Sequence, residues 1–185
     1  INVIGEIIVA VAFVLTTMKY DISVKLVPML LFICILYLVS VTDIYAQIIP
    51  DGYLIFAIVV RFVYYLFFEE FQWQSLFMLF VDGFAVSVPL LLLVLLMEKL
   101  WQKEAMGGGD IKLLFVTGMY IGWAENILAI FFACIIGIIV GLIQQKNADT
   151  QESVYFPFGP SIALGAFLSM LVGGQLIDAY LSLFI

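Results

Sequence analysis

The chain has 185 residues, of which 65% are hydrophobic and only 11% charged, and its mean hydropathy is +1.22. A soluble domain carries roughly 25% charged residues, so this composition excludes one and predicts an all-α polytopic membrane helix bundle. The net charge of −7 without a basic stripe excludes a nucleic-acid footprint, and the absence of histidine removes Ser–His and Cys–His nucleophiles and the usual His-rich metal sites.

Apolar segments fall in chain order at about 3–18, 26–45, 53–68, 76–97, 111–123, 127–143 and 158–172. A helix needs about 20 apolar residues to cross a bilayer, so six to seven transmembrane segments are expected. No composition shift divides them, and 1–185 is read as one membrane-embedded domain. The chain opens on Ile1 rather than Met and is expected to begin inside a longer precursor. The first segment lacks a basic n-region and a small-residue cleavage site, so it is not read as a signal peptide. The fifth segment, with Gly118 and Gly122, is short and is expected to be a buried or tilted element. The apolar stretch 173–185 either extends the last span or lies at the interface. Cys34 and Cys134 stand singly in apolar runs and read as apolar filler.

Several charges have ordinary readings. Arg61 lies mid-segment and must snorkel or find a carboxylate, a structural ion pair being the favoured outcome. Asp82 is placed at the start of the helical part of the fourth segment, near an interface, and Glu6 near the inner end of the first. The polar stretch 144–155 reads as a solvated connection. With the first segment starting inside, Lys99, Lys103 and Lys146 fall in inner loops with Lys112 at the lip, against Lys19 and Lys25 outside. That bias orients the bundle, and it puts Asp43 and Asp110 at the same depth on the cytoplasmic side.

Those two aspartates carry the chemistry. Asp43 ends an apolar run just before the turn Ile49-Pro50-Asp51-Gly52, and Asp110 follows three glycines in Met106-Gly107-Gly108-Gly109-Asp110-Ile111-Lys112-Leu113-Leu114. An acid at a membrane lip is costly and points to function. Two neighbouring carboxyls cannot both ionise readily, so they share a proton, one able to take a proton from water while the other donates to a carbonyl. Gly107, Gly108 and Gly109 would let a substrate strand approach the backbone. Taken alone, Asp110 could equally be a helix N-cap.

Three blocks in this order resemble the type IV prepilin peptidases, the membrane GxGD aspartyl proteases of bacteria, and their archaeal preflagellin counterparts. Asp43 with Ile48-Ile49-Pro50-Asp51 is similar to the family's first catalytic block, and Met106 to Leu114, which includes Lys112, to its second. Phe156-Pro157-Phe158-Gly159-Pro160-Ser161 is similar to its Pro-Phe-Gly-Pro signature. The resemblance implies that Asp43 and Asp110 are the catalytic pair, that no cofactor or metal is used, and that the site faces the cytoplasm of a bacterial plasma membrane. It implies a prepilin or pseudopilin as partner, with a short basic leader cut after a glycine and before an apolar helix, and lipid as the surrounding medium. Full-length bifunctional members carry an N-terminal methyltransferase domain with paired Cys-x-x-Cys motifs, and these motifs are not present in the chain.

Two other classes fit the composition. An ion-coupled transporter or channel would use the aspartates as ion ligands, but it would not explain three blocks in order and no internal repeat is evident. An inactive scaffold relative would have no need of both aspartates.

Overall fold

The computed structural model describes residues 3–103, 106–147 and 157–183. Among them all regular structure is helical: α1 (Val3–Tyr20), α2 (Leu26–Ala46), α3 (Asp51–Phe68), α4 (Trp73–Trp101), α5 (Gly108–Ile121), α6 (Trp123–Asn147) and α7 (Gly159–Leu181). Every helix except α5 is long and apolar enough to cross a membrane, giving six candidate spans. Large side chains such as Leu92, Leu95, Leu96, Ile138 and Leu142 stand exposed around the outside. A surface so apolar suits lipid rather than water, and the chain is a multi-pass membrane protein.

Local chemistry sets the helix ends. The chain leaves α2 through Gln47 in the left-handed region (φ 55), whose N–H donates to the Asp43 carbonyl. Pro50 in extended backbone then precedes α3, which opens on Asp51; an acid in the first turn complements the helix dipole. Gly107 precedes α5 and Gly122 (φ 87) ends it. Pro160 falls in the first turn of α7, where a missing N–H costs no helical bond.

The short α5 is the centre of the bundle. It packs against α3, α4, α6 and α7, and Leu113, Leu114, Val116 and Thr117 on it are almost wholly buried. Because its surroundings are protein, it has no need to match the bilayer thickness. Phe32 of α2 stacks on Tyr120 with ring centroids 4.1 Å apart, and the Tyr120 hydroxyl donates to the Ala57 carbonyl of α3 at 2.8 Å. On the α6 side the Thr117 hydroxyl donates to Asn126 Oδ1 at 2.7 Å, and Asn126 Nδ2 donates to the Leu114 carbonyl at 2.9 Å. The buried polar groups of Thr117, Tyr120 and Asn126 thus find partners, as a membrane interior requires. These contacts set the depth and rotation of α5, and with them the place of Asp110.

Some expected boundaries move. The fifth element starts at Gly108 rather than 111, so Asp110 lies inside its first turn. The fourth starts at Trp73, because the apolar run before Asp82 continues the helix. Asp82 therefore lies within α4, where its Oδ1 accepts the Trp123 N–H at 3.3 Å. The last span absorbs the apolar tail as far as Leu181. The polar stretch expected as a connection is helical up to Asn147, and its remainder lies outside the described residues. Arg61 finds its carboxylate: it pairs with Glu69 at 2.9 Å, while Nε donates to the Met119 carbonyl at 3.0 Å. Glu6 is exposed in the first turn of α1.

Candidate active site

The three sequence blocks meet at one end of the bundle. The last turn of α2 brings Asp43, the start of α5 brings Asp110, and the start of α7 brings Gly159. Asp43 and Asp110 line one cleft of about 400 Å³, together with Gln47 to Asp51, the three glycines 107–109 and Lys112. The two aspartates are nearly buried, at 5% and 8% exposure. Carboxylates that dry are costly unless protonated or hydrogen-bonded.

Each aspartate is held differently. Asp43 Oδ2 accepts the backbone N–H of Gly159 at 2.8 Å. This N–H belongs to the first turn of α7, where helical N–H groups lack internal partners and the dipole favours negative charge. Asp110 lies in α5, outside the six spans. Burial, and after it the charge of Asp43, pushes its carboxyl up from the usual 3.8 to about 7, while the Gly107 backbone N–H works the other way. The site therefore pairs one carboxyl fastened to a helix N-terminus with a second that keeps its proton near neutrality.

Two glycines make this arrangement possible. A Cβ on Gly159 would stand 2.7 Å from Asp43 Oδ2. A Cβ on Gly109 would stand 2.9 Å from the Ile49 Cβ, so only glycine lets the turn between α2 and α3 seat against α5. Gly107 and Gly108 line the same cleft, and a Cβ on Gly108 would meet open space. Backbone is thus accessible beside Asp110, as strand pairing with a bound peptide requires.

Lys112 and Asp51 form a pair that sequence reading did not join. Lys112 Nζ donates to Asp51 Oδ1 at 2.8 Å and to Oδ2 at 3.0 Å. Both side chains are well exposed, so the bond ties α3 to α5 only weakly; exposed pairs contribute about 0–1 kcal/mol. Gly159 is the other site residue without an assigned role. Its signal was present: glycine followed by proline opening a helix leaves a bare N–H at the N-terminus. Among the described residues no three Cys, Asp or Glu side chains cluster so as to hold a metal.

Comparison with known proteins identifies the family. The model of the type IV leader peptidase family matches residues 30–142. A prepilin leader peptidase/N-methyltransferase of Bacillus subtilis is 30% identical over 97% of this chain and 69% of its own length. Proteins of the same name from Pseudomonas aeruginosa and Legionella pneumophila are 35% and 32% identical over 43% of this chain, and the matched parts are 27% and 28% of their lengths. No solved structure matches the chain significantly. With the family match spanning more than half of the chain and the Bacillus subtilis relative aligned along nearly all of it, this protein belongs to the type IV leader peptidase family.

Proposed function

We propose that this protein removes the basic leader from prepilin-like proteins at the cytoplasmic face of a bacterial plasma membrane, with Asp43 and Asp110 activating water. The observation that carries the reading is that both carboxyls face one cleft while Asp43 is fastened by the α7 N-terminus. The names of the relatives support the substrate class.

The roles follow from what holds each group. Asp43, with Oδ2 engaged by Gly159, acts as the base, and its other oxygen takes a proton from the attacking water. Asp110 is the acid, donating its proton to the scissile carbonyl oxygen as the water oxygen bonds to the carbon. When the C–N bond breaks, the amine leaves with the proton gained by Asp43, a hydroxyl of the diol intermediate returns its proton to Asp110 as the new carboxyl forms, and the dyad is back in its shared-proton state. An extended substrate strand beside Gly107 to Gly109 would present the bond, since a helical bond is shielded by its own turn.

A pH profile tests the acid role. Asp110 must be protonated, and its carboxyl titrates at about 7, so kcat/KM for a leader-bearing substrate should fall as pH rises through that value. Stability follows with a defined sign. The folded state holds this proton at pH values where the unfolded chain, at 3.8, has lost it. Its contribution to stability is therefore full below about 4, declines up to about 7 and is flat beyond. Asp110→Asn should raise the Tm relative to wild type more at pH 8 than at pH 4. A flat rate profile between pH 5 and 9 would remove Asp110 from the acid role.

Orientation has its own test. In a background lacking Cys34 and Cys134, Gln102→Cys should be shielded from an impermeant thiol reagent in intact cells, and Glu70→Cys should react. The reverse pattern would place the cleft outside the cell.

A further inference from the structure

A second cleft of about 400 Å³ lies between α3, α4 and α5 and shares two residues with the first, Asp51 and Lys112. Apart from that pair its lining is almost wholly apolar, with Ile55, Ile58, Phe84, Val88, Leu91 and Phe115 prominent. Phe84 and Phe115 form one wall, their ring centroids 4.7 Å apart. Ser87 also lines it, but its hydroxyl is spent on the Gly83 carbonyl at 2.8 Å. Ile55, Phe84, Val88 and Leu91 are exposed on the bundle's outer side, so the cleft is open laterally. The two clefts adjoin at the Asp51–Lys112 pair, so a path from the membrane side to the two aspartates would cross that pair.

We propose that this apolar cleft is the subsite for the apolar residues adjoining the scissile bond, entered from the lipid, with the Asp51–Lys112 pair as the threshold. The proposal rests on the peptidase reading above and deepens it. The occupant is fixed by continuity: a chain lying across the Asp43–Asp110 cleft has the apolar cleft as its next neighbour beyond Lys112. The character of the path changes at the ion pair, from apolar walls to carboxyls and backbone. That change suits a substrate that is polar on one side of the cut bond and apolar on the other. An exposed ion pair is held weakly enough to part as a chain crosses it.

The test uses Asp110→Asn protein in membranes, with a photo-crosslinking benzoylphenylalanine at Leu91 or, as control, at Val11 on α1. The probe is a membrane peptide with a short basic leader joined to an apolar segment of about 20 residues. Crosslinking to the peptide from Leu91 but not from Val11 is expected. Crosslinking only to lipid at Leu91 would overturn the subsite and leave the aspartate reading standing. Cleavage of the peptide by the Asp110→Asn protein would overturn that reading and the subsite with it. Independently, Val88→Trp should narrow the cleft and raise KM for the peptide roughly tenfold while kcat is kept, the loss expected for one displaced apolar side chain. An unchanged KM, or a fall in kcat alone, would count against the subsite.

Discussion

Asp43→Asn and Asp110→Asn should each lower leader cleavage by about 10²- to 10⁴-fold, the range that general acid–base catalysis contributes. Asparagine keeps the shape of the side chain and much of its hydrogen bonding but can neither take nor give the proton. In Asp43→Asn the amide oxygen can still accept the Gly159 N–H, so the packing of α7 on α2 should survive. Both variants should insert and remain monodisperse in detergent, because each replaces a costly buried acid with a neutral group. Asp82→Asn and Glu6→Gln should keep most of the wild-type rate. Asp82 lies in a different cleft with Arg61 and Glu69, and Glu6 stands exposed on α1. Peptidase assays on purified, monodisperse protein would measure all four substitutions.

Gly159→Ala is expected to be nearly as damaging, although it touches no reacting atom. The added Cβ would come within 2.7 Å of Asp43 Oδ2 and 3.1 Å of its Cγ, so the carboxyl must swing away or α7 must retreat. Either movement breaks the 2.8 Å hydrogen bond that aims Asp43. A displacement of about 1 Å in a catalytic group can cost about 10²-fold, and a loss of that order is expected. Alanine is well suited to a helix, so the fold should persist. The loss should appear mainly in kcat. The partner comparison is Gly108→Ala, where a Cβ meets open space and the rate should change much less. Equal activity of Gly159→Ala and wild type would show that the grip on Asp43 is dispensable.

Much of this site could be read along the chain because its signals are local. Three consecutive glycines before an acid, a proline-bearing turn after another acid and a Gly-Pro helix start are each written within a few residues. Alternation of the apolar segments then put both aspartates at one depth. The short fifth segment with its two glycines also announced a buried element, and α5 is one. What could not be read were the contacts made across helices. The Gly159 N–H reaches Asp43 only because α7 packs on α2, and Lys112 meets Asp51 only because α5 lies beside α3. Neither pairing has a sequence spacing that marks it. The start of α4 is illegible for another reason: its first turn carries the polar Gln74 and Ser75 and the run from Leu76 to Val81 is apolar on all sides, so no periodicity separates helix from loop before Asp82.

The sharpest single measurement is a double-mutant cycle on kcat/KM with a leader-bearing peptide. Groups that share a proton act as one unit, and removing either disables both. Asp43→Asn, Asp110→Asn and the double variant should therefore be about equally inactive, so the second substitution should cost almost nothing once the first is made. Losses that multiply in the double variant, or a folded single variant that cleaves at close to the wild-type rate, would contradict a shared-proton dyad at Asp43 and Asp110.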